Sequence, residues 1–138
     1  MIIAVIIKIS RWPDQEFKYQ IEFPNIKSRK DECERVRLQF PDKIPVICEK
    51  DPNSKIQEID KTKYLVPSDL TVAQFCNMLK SRITIGEKEA FFLLFNGAHQ
   101  VGLDTLMQEA YEKYKNPDDG FLYIMYSSEL IWGKNQQL

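Results

Sequence analysis

The chain has 138 residues, 43% of them hydrophobic and 28% charged, with a formal net charge of -1. That length favours one domain with a self-sufficient core, and the near-zero charge gives no electrostatic case for nucleic acid as a partner. Cys33, Cys48 and Cys76 are odd in number, widely spaced and form no CxxC pair, which argues against a disulfide framework or zinc knuckle and fits a reducing cytosol.

Residues 2–7 read IIAVII, followed by Lys8. The run is too short to span a bilayer. With no basic region ahead of it and no small-x-small cleavage site, it makes a poor signal peptide. An extra β-strand, a plain extension, a membrane-touching segment and a mis-assigned start codon all stay open. The first periodic element is a helix over about Ile26 to Gln39, where Cys33, Val36 and Phe40 share one face and Pro41 stops the pattern. Its other face, with Lys27, Arg29, Lys30, Arg35 and Arg37 among carboxylates, reads as solvated.

Lys43 to Lys50 (KIPVICEK) is rich in β-branched residues and closed by Asp51-Pro52-Asn53, a strand and turn signal. Lys63 to Pro67 (KYLVP) is a second strand, and its proline suits a sheet edge. Thr71 to Gln74 is a capping box, opening a helix whose apolar face is Val72, Phe75, Cys76, Leu79 and Ile83. Ala90 to Phe95 (AFFLLF) reads as a buried strand turned by Asn96-Gly97. Thr105 to Gln108 is a second candidate capping box, for a helix carrying Leu106, Met107, Ala110, Tyr111 and Tyr114 and ending near Asn116-Pro117. After the turn Asp118-Asp119-Gly120, Phe121 to Tyr126 (FLYIMY) is apolar on both faces, as a central strand should be. The order α-β-β-α-β-α-β predicts an α+β sheet with a helix across one face, compatible with a ubiquitin-like β-grasp, and an additional N-terminal helical segment packed elsewhere on the sheet.

Catalytic chemistry is hard to find. His99 is the single histidine, and it follows a turn, where a solvated loop residue is expected. The five glycines are scattered, so no phosphate-cradling loop is present. An enzyme would have to pair one of the three cysteines with His99, and nothing in the sequence brings them together. The chain reads as a protein that is bound or acted upon, with no metal site and no cofactor.

The segments PDKIPVICEK, DKTKYLVPSDLTVAQF, AFFLLFNG and DDGFLYIMYSSE, followed by an aromatic-Gly pair, resemble the ubiquitin-like autophagy modifiers. That is the family of the microtubule-associated light-chain-three and GABA-receptor-associated proteins. The resemblance covers about Phe17 to Gly133. It implies an N-terminal extension (1–16), a modifier domain (17–133) and a discarded tail, Lys134 to Leu138. A cysteine protease would cut after Gly133, and activating and conjugating enzymes would then join Gly133 to phosphatidylethanolamine. Glycine suits the role because it has no Cβ to crowd a narrow catalytic channel. Trp132 stands where the family usually has Phe or Tyr. The cytoplasmic protein would thus reach the autophagosome membrane and recruit cargo receptors.

The resemblance also implies recognition of aromatic-x-x-aliphatic peptides by strand addition. Glu32, Val36, Pro45, Ile47, Lys63, Leu65 and Phe121 would make the aromatic pocket. Tyr64, Val66, Pro67, Leu70, Phe75 and Met78 would make the aliphatic one. Lys61 and Arg82, with Lys63, would meet acidic residues flanking the motif. Phe75 and Leu70 have core as a competing assignment. The alternative function is a non-conjugated interaction module serving vesicle traffic or cytoskeletal attachment.

Overall fold

A computed structural model describes residues 17–130. The elements in chain order are α1 (Lys18–Glu22), α2 (Ile26–Gln39), β1 (Lys43–Lys50), β2 (Lys63–Pro67), α3 (Val72–Lys80), β3 (Glu89–Phe95), α4 (Met107–Tyr114) and β4 (Leu122–Leu130). The strands form one sheet in the order β2-β1-β4-β3. β1 pairs antiparallel with β2 and parallel with β4, while β3 pairs antiparallel with β4. The two apolar runs, KIPVICEK and LYIMY, thus take the two interior positions. β2 lies at an edge, where Pro67 does not interrupt a ladder on both sides.

Strand alternation divides the interior into two layers. Ile44, Val46, Cys48, Tyr64, Val66, Leu122, Ile124 and Tyr126 meet α3 and α4 in the larger cluster with Phe75, Leu79 and Met107. Ile47, Tyr123 and Met125 point the other way and join Phe17, Tyr19, Cys33 and Phe121. Phe75 and Leu79 are fully shielded, each worth roughly 1.5–3 kcal/mol of burial. The Thr71 box forms as expected: Thr71 Oγ1 accepts from Gln74 N at 3.1 Å, and Gln74 Oε1 accepts from Thr71 N at 2.9 Å. Asn96 and Gly97 have φ of 57° and 73°, the double positive φ that this dipeptide tolerates.

Several sequence expectations are corrected. Two helices precede the sheet instead of one, because α1 has only five residues, too few to display a helical period. The AFFLLF strand is not buried but an edge strand: only Leu93 and Phe95 are buried, since β3 has a neighbour on one side alone. The final strand runs four residues further than Tyr126 and begins after Phe121. The third helix stops at Lys80, and Ile83 lies in the turn beyond, still half-buried on the core. The second capping box is displaced by one residue. Leu106 is the N-cap, and Glu109 Oε1 accepts from its N–H at 3.1 Å; Leu106 itself has no side-chain acceptor to complete the pair.

The charged side of α2 is also not wholly solvated. Arg29 is buried, and its Nε donates to Asp119 Oδ2 at 2.8 Å. That carboxylate, with no side-chain exposure, also accepts from Tyr123 OH at 2.6 Å and from Phe121 N at 3.0 Å. Three donors satisfy Asp119, so the desolvation of both charges is offset by directed bonds. The network fastens α2 to the loop entering β4. Next to it, Gly120 has φ of 85° and turns against the Cys33 thiol, leaving little room for a Cβ.

Candidate functional site

The exposed edge of the sheet carries most of the residues singled out from sequence. In the β1–β2 register Pro45 faces Leu65 and Ile47 faces Lys63. Paired residues share a face, so these four form one patch on the side of α1 and α2. Ile47 and Phe121 belong to the same apolar cluster and form its floor. Glu32 and Val36, one helical turn apart on α2 and both half-buried, stand on that side. Leu65 is 38% exposed and Lys63 is exposed, so the patch keeps an open rim.

Tyr64 and Val66 point to the opposite face. Tyr64 meets Phe75 edge-on with ring centroids 6.0 Å apart, and Val66 shares their cluster. Phe75 is fully buried and serves the core as well as any groove. Leu70 and Met78 are half-buried against that cluster, and Pro67 is half-buried at the strand end. The surface available on this side is therefore Leu70, Met78 and the rim of Tyr64, whereas Pro67, predicted for the same pocket, ends β2 with the parity of Lys63 and Leu65. Lys61 and Arg82 flank that ring, with Lys61 Nζ 5.2 Å and Arg82 Cζ 5.9 Å from its centroid. The three predicted cations are thus divided between the faces, because Lys63 lies on the other side of β2. Burial pushes the Tyr64 phenol up to about 12, and Arg82 opposes the shift.

Beside the first patch lies an element that sequence reasoning did not assign to it. Tyr19 of α1 packs edge-on against Phe121 at 5.5 Å and against Phe23 at 5.1 Å. Lys63 Nζ sits 4.9 Å from the Tyr19 centroid and 5.7 Å from that of Phe23, within cation–π range of both. Burial, and next the nearby Glu32 carboxylate, hold the Tyr19 phenol above its ordinary pKa. Tyr19 therefore stands among Phe121, Lys63 and Glu32, three of the predicted aromatic-pocket residues. A cleft of about 540 Å³ opens between α1 and β2, lined by Tyr19, Phe23, Glu49, Lys61 and Lys63.

Two clamps hold α1 in place. The buried Glu49 accepts from Lys18 N at 2.7 Å through Oε1 and from Tyr19 N at 2.9 Å through Oε2. At the other end Arg29 Nη1 donates to Phe23 O at 2.6 Å. The sequence signal for these residues was faint. Glu49 interrupts an apolar strand, and Phe17, Tyr19 and Phe23 concentrate aromatics in seven positions, but the short helix gave no period to orient them.

A second cleft, about 780 Å³, lies between α2 and α4 with Cys33 and Tyr111 in its lining. Arg37 Cζ is 4.7 Å from the Tyr111 ring there. All three cysteines are free and buried, and burial raises each thiol pKa, that of Cys33 to about 11. His99 is exposed and rests 5.5 Å from the Tyr114 ring. Among the described residues no His/Cys/Asp/Glu cluster suits a metal ion, and no helix is long and apolar enough to cross a membrane. Gly133, Trp132 and the tail, like residues 1–16, lie outside the described residues.

A mixed four-stranded sheet with α3 packed across one face after the first hairpin defines a ubiquitin-like protein. The two helices ahead of β1 and the divided edge of β2 narrow the class. The family described as "Autophagy protein Atg8 ubiquitin like" matches residues 28–133. Autophagy-related protein 8 of Pichia angusta is 47% identical over 117 residues, which cover 85% of this chain and 91% of the relative. That of Schizosaccharomyces pombe is 45% identical over 118 residues, covering 86% and 93%. A crystal structure of Trypanosoma brucei ATG8 aligns with a TM-score of 0.74 and 41% identity over 83% of this chain and 97% of that one. The chain belongs to the Atg8 family. It is a ubiquitin-like modifier of autophagy.

Proposed function

We propose that the protein is a non-enzymatic modifier whose precursor is cut after Gly133, joined through Gly133 to phosphatidylethanolamine, and displayed on the autophagosome membrane to recruit cargo receptors. The family match ends on Gly133, leaving Lys134–Leu138 outside it. The partners are a cysteine protease, ubiquitin-like activating and conjugating enzymes, and receptors with aromatic-x-x-aliphatic motifs. The lipid brings two acyl chains, enough for stable anchoring where one chain holds only marginally.

The observation that carries the recognition role is the edge strand β2, whose Leu65 and Tyr64 lie on opposite faces beside two partly open apolar patches. A peptide strand added to this edge extends about 10 Å over three residues, the spacing of its two anchors. Its aromatic side chain would settle over Ile47 and Phe121 beside Lys63 and Leu65. Its aliphatic one would settle against Leu70 and Met78. Lys61, Lys63 and Arg82 would draw in acidic flanking residues, chiefly through encounter rate and specificity.

Intact-mass measurement of the protein from autophagy-competent cells, with and without phospholipase, tests the conjugation. Loss of residues 134–138 and gain of a phosphatidylethanolamine mass removable by the lipase are expected. A full-length, unmodified chain found on membranes would favour the non-conjugated interaction module instead.

A further inference from the structure

We infer that Tyr19 and Phe23 form a built-in end wall of the aromatic pocket and set the size of the aromatic anchor it accepts. The inference rests on the peptide-groove reading and deepens it. Tyr19 is 7% exposed and meets Phe121 at 5.5 Å, so its ring closes the pocket floor on the side of α1. Phe23, 44% exposed, backs that ring at 5.1 Å. Lys63 arches over both rings and completes the wall from β2. No ion pair among the described residues uses Lys63, so the two rings are what seats its ammonium.

On the far side of this wall is the 540 Å³ cleft between α1 and β2. Tyr19 lines that cleft and touches the pocket floor, so it is the partition between the two spaces. Truncating it would join them, and the enlarged space favours an indole over a phenyl ring. The partition stays rigid because α1 is fastened at both ends, by Glu49 on the Lys18 and Tyr19 amides and by Arg29 on the Phe23 carbonyl. Arg29 is itself locked to Asp119. Glu49 is thus a positioning residue, acting on the pocket through Tyr19.

The experiment is titration of two peptides, Trp-x-x-Leu and Phe-x-x-Leu in one fixed sequence context, against the full chain and its Tyr19→Ala, Tyr19→Phe, Phe23→Ala and Glu49→Gln variants. Folding of each is checked by thermal melting. Tyr19→Ala should move the Trp/Phe affinity ratio about tenfold toward Trp, the scale of one lost aromatic contact. Phe23→Ala, at an exposed site that leaves folding intact, and Glu49→Gln should move it the same way, about threefold. Tyr19→Phe keeps the ring and should keep the parent ratio. Equal weakening of both peptides by Tyr19→Ala and Phe23→Ala, with the ratio unchanged, would overturn the inference while leaving the groove intact. Failure of the parent to bind either peptide would overturn the groove reading and the inference with it.

Discussion

Replacing Asp119 by Ala removes one acceptor from three donors at once. The Arg29 guanidinium loses its partner at 2.8 Å, the Tyr123 hydroxyl its partner at 2.6 Å and the Phe121 amide its partner at 3.0 Å. The Asp119 side chain has no solvent exposure and that of Arg29 is 7% exposed, so water cannot readily replace the carboxylate. Breaking a buried ion pair from one side costs about 3–5 kcal/mol, and each stranded neutral donor adds on the order of 1 kcal/mol unless it relaxes. The expected loss is therefore at least about 3 kcal/mol, a large part of a typical domain's stability. Asp119→Asn keeps one acceptor oxygen and should lose less. Urea unfolding followed by tryptophan-independent far-UV dichroism reads the midpoint, with an unchanged slope expected if only stability is altered. Combining Asp119→Ala with Arg29→Met should cost less than the two single changes added, because the second change removes the stranded charge. A loss below about 1 kcal/mol for Asp119→Ala, or strict additivity in the pair, would refute the view that this network fastens α2 and Phe121 to the sheet.

Leu65→Ala and Tyr64→Ala should each weaken an aromatic-x-x-Leu peptide, Leu65→Ala about thirtyfold for an anchor worth about 2 kcal/mol, without unfolding the chain. Parent-like binding by both in a titration would contradict the groove assignment. Lys63→Ala should do less, and its effect should shrink at high salt because a rim charge is screened. The buried Cys33 thiol is raised to about 11, so the stability it contributes is intact below its ordinary pKa and is lost as pH climbs toward about 11. Urea midpoints should fall across that window, and Cys33→Ala should make the fall shallower. At neutral pH all three buried thiols should resist a mild alkylating agent in the folded protein, which mass spectrometry of the treated protein would check. Starting the chain near Asp14 should cost less than about 3 kcal/mol in melting, since Phe17 already seats itself 5.0 Å from Tyr123.

The long, strongly patterned elements were legible in the sequence: the α2 period, β1 and the Thr71 cap reappear at their expected bounds, and β4 reappears as the second interior strand, though longer than expected. Pro67 marked an edge because a proline cannot donate to a ladder, and β2 is at the edge. What escaped was tertiary. Arg29 looked like any other cation on a solvated helix face, and only the distant Asp119 gives it a reason to be buried. Phe92 and Leu94 looked as buried as Leu93, because hydrophobicity does not record whether a strand has one neighbour or two. The same limit applies to the site. Alternation placed Tyr64 and Leu65 on opposite faces, but it could not say that α3 covers one almost completely. Nor could it bring Tyr19 to Phe121 across more than half the chain.

The parallel pairing of β1 with β4 also governs when the chain can become a protein. Among the described residues β4 is the last element in chain order, yet it is the strand that joins β1 to β3. During synthesis the α2–β1–β2–α3 portion leaves the ribosome first and has no β4 to complete its sheet, so its apolar strands wait for a distant partner. Folding is therefore ordered in time: the sheet cannot close until the residues of β4 have emerged, and any surface that needs β1 and β3 joined exists only after that point.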